Sequence, residues 1–396
     1  MNHRYKRTIH ACFTGYIVQA IINNFAPLLF VTFQNSYQIR LSKITMLISL
    51  CFGIQLLIDL ISAGFIDKIG YRISIVSAQI CSAAGLIGLA ILPDLCADPF
   101  TGLLISVIIY AVGGGLSEVL VSPIMEACPT ESKEKAMSLL HSFYCWGQVG
   151  VVLLSTLFFS LFGIANWKIL AVIWALIPIA NAFIFTRVPI GSLIQDGEQG
   201  LTIRELFSSR LFWIMLLMML CAGACEQSVS QWASTFAETG LGLSKSLGDL
   251  AGPMSFAVLM GLARVYYGKY GDHIDLDRFM TFSAALCLIS YLCISLIPVP
   301  AAGLAGCALC GLSVGIMWPG TFSKSSASIR GGGTAMFALL ALAGDAGCMA
   351  GPALAGFISG CFKDNLRAGI LAAAVFPALL LITLADCRKP SKPDIH

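Results

Sequence analysis

Apolar residues in this chain gather in blocks of about twenty, separated by short stretches where Gly, Pro, Asp, Lys and Arg collect. A helix of that length rises about 30 Å, the thickness of a bilayer's hydrocarbon core. The pattern predicts spans at residues 9–33, 44–66, 73–93, 101–125, 137–162 and 167–186. Six more follow at 211–236, 249–268, 279–298, 301–322, 333–360 and 367–386. Between the sixes lies one long polar stretch containing Gln195-Asp196-Gly197-Glu198. The expected organisation is an N-terminal bundle over 1–186, a cytoplasmic linker over 187–210 and a C-terminal bundle over 211–396.

Polar residues inside the spans are few and patterned. In the seventh span Glu226, Gln227, Ser230, Gln231 and Ser234 fall within about 140° of arc at 100° per residue. In the first, Tyr16, Gln19 and Asn23 recur at i, i+3 and i+7, with Asn24 beside them. Lipid does not tolerate such stripes, so they are expected to line a watery cavity; the plainer alternative is hydrogen bonding between helices. Five charges sit within spans: Asp59, Glu118, Glu226, Arg264 and Asp345. Each costs about 2.5–3.5 kcal/mol at mid-membrane on insertion scales, so each asks for a role.

Composition agrees with a membrane protein: 57% of the 396 residues are hydrophobic and 11% charged, against about 25% charged in soluble domains. The basic opening Met1-Asn2-His3-Arg4-Tyr5-Lys6-Arg7 resembles a signal peptide. The apolar run behind it is too long for one, however, and lacks a small-residue cleavage site, so it reads as the first span. Of the 24 Lys and Arg, 17 lie on the side of the termini and 6 on the other, with Arg264 inside a span. That bias predicts both termini in the cytoplasm of a cell-membrane protein. The net charge of +3 follows from it and gives no reason to invoke nucleic acid. Most of the fifteen cysteines lie in apolar spans. Cys307 and Cys310 have a ligand-like spacing but no second pair, so neither metal nor disulfide is expected. No cofactor is expected either, and the chain reads as a monomer in the lipid bilayer.

The two halves echo one another. Gly64-Phe65-Ile66-Asp67-Lys68 closes span 2, and Gly268-Lys269 closes span 8, 204 positions later from Gly64 to Gly268. Leu139-Leu140 with Gly147 returns as Leu339-Leu340 with Gly347. Internal repeats of this kind typify transporters that rock one bundle against the other.

The segment Gly64-x-x-x-Asp67-Lys68-x-Gly70-Tyr71-Arg72 resembles the loop signature of the major facilitator superfamily, with Tyr71 where a basic residue is common. A closer resemblance is to the fucose–galactose–proton symporter family. It is carried by Gly113-Gly114-Gly115-Leu116-Ser117-Glu118 in span 4 and by Leu139-Leu140-His141-Ser142-Phe143-Tyr144-Cys145-Trp146-Gly147 in span 5. Gly223-Ala224-Cys225-Glu226 with Trp232, and Met317-Trp318-Pro319-Gly320-Thr321-Phe322, continue it. Fucose-carrying members have an aspartate after a paired asparagine in the first helix; here Asn23-Asn24 precedes Phe25-Ala26-Pro27 and the aspartate is absent. The resemblance implies an all-α polytopic membrane protein with twelve transmembrane helices in two six-helix pseudo-symmetric bundles around a central cavity. Spans 1, 4, 7 and 10 would surround that cavity.

These readings together predict a secondary active transporter of a small polar solute, a sugar by resemblance, moved by alternating access with proton coupling. Burial disfavours the charged form of a carboxyl, which suits proton uptake and release. Glu118 is the first candidate carrier, with Glu226 and Asp345 behind it; among its glycine neighbours Asp345 is almost as well suited to a structural hydrogen bond, and His141, a conceivable relay, stands near a helix end where packing is the commoner role. Solute ligands are expected among Tyr16, Gln19, Asn23, Asn24, Glu226, Gln227, Ser230 and Gln231, with Trp146, Trp232 and Trp318 offering flat faces for a sugar ring. A gating set comprises Asp59, Gly64, Asp67, Lys68, Gly70, Arg72 and Arg264, with Asp59 and Arg264 as expected partners. Asp67 should meet the amides at Gly331-Gly332-Gly333-Thr334, a contact worth about 0.3–2 kcal/mol. Efflux of amphipathic compounds and a non-transporting receptor are the alternatives. Enzymatic and nucleotide-driven functions lack a motif: no H-E-x-x-H, G-x-S-x-G or G-x-x-x-x-G-K-[ST] occurs.

Overall fold

A computed structural model describes residues 5–129, 133–190, 201–270, 274–329 and 333–387, excepting the side chains at 62–65, 67–68, 126, 133–138, 268, 333–335 and 337. Among the described residues, twelve helices are long and apolar enough to cross a membrane: Lys6–Tyr37, Leu41–Ile61, Tyr71–Leu95, Pro99–Met125, Leu139–Phe162, Ile164–Arg187, Arg210–Gly240, Lys245–Tyr267, Leu276–Leu296, Pro300–Ser328, Ala338–Cys361 and Leu366–Cys387. They are called spans 1–12 below. Each overlaps its sequence-predicted block closely, because the length and hydrophobicity that carry a helix across lipid are written locally in the chain. The remaining short helix, Ile203–Ser208, is closed by a capping box in which Thr202 and Glu205 satisfy each other's backbone N–H groups.

The packing repeats. Span 1 packs on 5 and 6, span 2 on 4, and span 3 on 4 and 6; span 7 packs on 11 and 12, span 8 on 10, and span 9 on 10 and 12. Adding six to each number in the first bundle gives the second. Between the bundles, span 2 packs on span 11 and span 5 on span 8, and the same rule relates these two contacts. This pairing is the pseudo-symmetry that the two halves' weak repeats implied.

Glycines set how closely these helices approach. A Cβ at Gly347 of span 11 would stand 1.9 Å from the Leu220 carbonyl of span 7, and one at Gly223 of span 7 would stand 2.1 Å from the Gly344 carbonyl. Backbones this near each other gain dispersion contacts that lipid tails cannot match. At the end of the molecule that carries loop 94–98, the bundles also touch: a Cβ at Gly356 of span 11 would meet the Thr45 hydroxyl of span 2 at 2.2 Å. Lipid-facing positions such as Leu161, Phe183 and Phe282 stay exposed on the outside of both bundles.

Spans 1, 7 and 10 are each interrupted. Span 1 is α-helical to Asn24, tightens to a 3-10 turn over Ala26–Leu29 beside Pro27, and resumes at Phe30. Span 7 breaks after Ser230, and span 10 breaks at Gly315 before Met317. Proline explains the first break, since it lacks an N–H and clashes with the preceding turn. Broken spans free backbone and redirect side chains in the middle of the molecule, where irregular backbone is tolerated when it borders protein or water.

Candidate functional site

A cavity of about 110 Å³ lies between the bundles. Of the expected residues, Tyr16, Gln19, Asn23, Glu118, His141, Glu226, Gln227, Trp318, Asp345 and Arg264 border it. Spans 1, 2, 4, 5, 7, 8, 10 and 11 all contribute to its wall. The lining is dominated by amides, carboxyls and aromatic rings, the mixture that holds a small polar molecule by directed hydrogen bonds.

An amide chain forms its N-terminal wall. Gln19 Nε2 donates to Gln55 Oε1 at 2.9 Å and to Glu118 Oε2 at 3.2 Å. Gln55 Nε2 donates onward to Asn23 Oδ1 at 3.1 Å. Gln19 keeps an unpartnered Oε1, although the residue is only 5% exposed. Gln55 was not singled out in the sequence, yet it stands four residues before Asp59 on one face of an apolar helix. That i, i+4 pairing was the available signal.

The opposite wall holds an ion pair. Arg264 Nη2 donates to Glu226 Oε2 at 3.1 Å, and Gln227 Nε2 donates to Glu226 Oε1 at 3.3 Å. Arg264 Nη1 reaches across to Cys145 Sγ of the other bundle at 3.2 Å. This corrects the expected Asp59–Arg264 gate pair. Arg264 is long enough to turn inward from span 8 to the cavity, where a buried carboxylate offers the stronger partner. Asp59 instead meets Glu118 and Asp345, their carboxyl oxygens all within 4.8 Å of one another. Three carboxyls this close cannot all be ionised without a proton or cation between them. Two come from the N-terminal bundle and one from the C-terminal bundle, so the group straddles the line along which the bundles meet.

Other expected residues lie elsewhere. Asn24 turns back on its own helix, donating to the Ala20 carbonyl at 2.9 Å. Ser230 accepts from Gln148 at 3.0 Å, and Gln231 donates to the Asn23 carbonyl at 3.0 Å. Both bonds cross between bundles. Trp232 is fully buried, its indole N–H donating to the Pro352 carbonyl at 3.1 Å. Trp146 is 44% exposed and does not border the cavity. Arg72 clamps the end of span 6, donating to the carbonyls of Phe185, Thr186 and Val188 at 2.9 Å each. It therefore ties span 3 to span 6 within one bundle. Gly70 ends the helix of span 2 at φ +90, a conformation that favours glycine. The side-chain positions of Gly64, Asp67 and Lys68, and most of the amide-bearing start of span 11, lie outside the described residues.

The family model described as Major Facilitator Superfamily matches residues 11–352. The chain belongs to the major facilitator superfamily. It is 22% identical over 259 residues to Membrane protein MosC of Rhizobium meliloti, an alignment covering 65% of this chain and 61% of that protein. The chain thus spans about three fifths of the length of the curated relative it matches. Among solved structures, the E. coli fucose:proton symporter FucP aligns over 97% of this chain and 99% of its own, at 16% identity and a TM-score of 0.65. An inward-facing bacterial homolog of the human lysosomal transporter Spinster aligns over 97% of each chain, at 16% identity and a TM-score of 0.76. The D-xylose-proton symporter covers 98% of each chain at 13% identity, with a TM-score of 0.76. Identities this low speak for the fold alone.

Proposed function

We propose that this member of the superfamily is a proton-coupled secondary transporter that carries a small polar solute, a sugar or similar polyol, through the central cavity by alternating access. The observation that carries the reading is the cavity itself. It lies between two bundles related by a repeat, and its polar wall joins amides, an ion pair and a group of carboxyls. The carboxyl group supplies a place for a proton, and the amide chain with Glu226 and Trp318 supplies a place for a solute. Two of the similar structures are named as sugar–proton symporters, which agrees with this choice. A cavity so rich in carboxyls and amides suits efflux of amphipathic compounds poorly. Asp67, Lys68 and Gly64 are assigned to the gate at the end that carries the termini.

Uptake into proteoliposomes tests the reading, screened across hexoses, pentoses, polyols and amino acids with and without an inward proton gradient. Gradient-stimulated uptake of at least one polyol is expected. Uptake indifferent to the gradient for every solute would remove the proton, and uptake restricted to amino acids would remove the sugar.

The placement is proposed as the cell membrane with both termini in the cytoplasm. Cys96, partly exposed in the turn between spans 3 and 4, gives the check. In a background whose other accessible cysteines are replaced, an impermeant thiol reagent should label it in intact cells. Labelling that appears only after the membrane is opened would reverse the topology.

A further inference from the structure

Away from the cavity, at the end that carries loop 94–98, lies a second polar group that the transport reading leaves unused. Asp249 of span 8 is fully buried. Its Oδ1 accepts from Lys245 Nζ at 2.7 Å and from the Ser234 hydroxyl. Lys245 also pairs with Glu238 of span 7 at 3.0 Å. All four of these residues belong to the C-terminal bundle. Two π-helical turns, Phe236–Gly240 and Leu250–Met254, bracket the segment, and such wide turns often mark functional places in a helix. The other carboxylate oxygen, Oδ2, faces the N-terminal bundle and accepts from the Thr156 hydroxyl of span 5 at 3.4 Å. One turn further out, the Ser160 and Ser246 hydroxyls share a hydrogen bond of 2.8 Å across the same seam.

The division of labour is unequal. In this group every ion pair stays within one bundle, and only hydroxyl donors reach across between bundles. A seam that must part in each cycle cannot depend on a buried ion pair, because separating one leaves an uncompensated charge. Here Asp249 would keep Lys245 as its counter-ion whether the seam is open or shut, and water would replace Thr156 on Oδ2.

We propose that Thr156 and Ser160, set against Asp249 and Ser246, are the releasable latch that shuts the cavity at the end carrying loop 94–98. Lys245 is its resident counter-ion. The latch deepens the alternating-access reading and rests on the part of it that has the bundles move; it requires no particular solute. The symmetry-related seam between spans 2 and 11 sets Thr45 closely against Gly356 at this end.

Spin labels at Phe162→Cys and Leu247→Cys, both exposed at this end, report the seam directly when other reactive cysteines are replaced. In lipid nanodiscs without solute, the double variant Thr156→Val/Ser160→Ala should shift the ratio of long to short distances by roughly five- to a hundredfold, the weight of two hydroxyl hydrogen bonds. Thr156→Ser with Ser160 intact should restore the parent distribution. Ser160→Ala alone, at a half-exposed seam, gives a smaller shift and guards against misfolding of the double variant. Distances in both variants identical to the parent would overturn the latch. A solute screen that finds no sugar would leave this result standing, so the two proposals fail separately.

Discussion

Replacing Arg264 with methionine is expected to destabilise the protein by about 3–5 kcal/mol, among the largest effects any single substitution here should have. Its side chain is 18% exposed and that of Glu226 9% exposed, so neither charge has much water to fall back on. Removing the guanidinium strands the carboxylate and also cuts the contact to Cys145 that reaches the other bundle. The thermal midpoint of the purified protein in detergent should drop sharply. Adding Glu226→Gln to Arg264→Met should recover most of the loss, because a neutral amide in the same place keeps its bond with Gln227 without an unpaired charge. Were the single variant as stable as the parent, the pair would be an incidental contact, and Arg264 would return to the gate role its position near the end of span 8 suggested.

The contrast between that expectation and the observed pair shows which parts of this molecule can be read from sequence. Spans were legible because crossing lipid is a local demand on about twenty consecutive residues. Glu118, Glu226 and Asp345 were legible because a carboxyl in lipid is costly wherever it points. The stripe on span 7 was only half legible. Glu226 and Gln227 reach the cavity, but Gln231 lies past the break after Ser230, and counting 100° per residue holds only along an unbroken helix. Which partner Arg264 takes is a matter of tertiary placement, settled by where a long side chain finds a buried acceptor. Asp249 looked like the first residue of a span and gave no sign that Thr156, 93 positions earlier, would meet it. Trp232 shows the same limit: an aromatic ring suited to a sugar is used instead to fill the seam beside Phe30, their ring centroids 5.8 Å apart.

Glu118→Gln should separate coupling from recognition. Glu118 accepts from Gln19 and lies with its oxygens within 4.8 Å of those of Asp59 and Asp345. In the proposed mechanism that group holds the coupled proton between carboxyls on both bundles, so its arrival or departure would alter the repulsion across the seam where spans 2 and 11 touch. An amide at position 118 has nearly the shape of the protonated acid and cannot release a proton. The bundles should then still exchange solute across the membrane, since the neutral form permits the motion, while a proton gradient no longer drives accumulation. Counterflow of labelled solute at rates near the parent, with uptake stopping at the equilibrium distribution, is the expected pair of measurements. Glu226→Gln should behave differently, weakening solute binding by about 1.5–3 kcal/mol if it makes one charged hydrogen bond to the solute. If Glu118→Gln still accumulates solute against its gradient, the proton is carried elsewhere in the group. Asp345 is then the residue to replace, because it alone of the three brings the carboxyl of the opposite bundle to the seam.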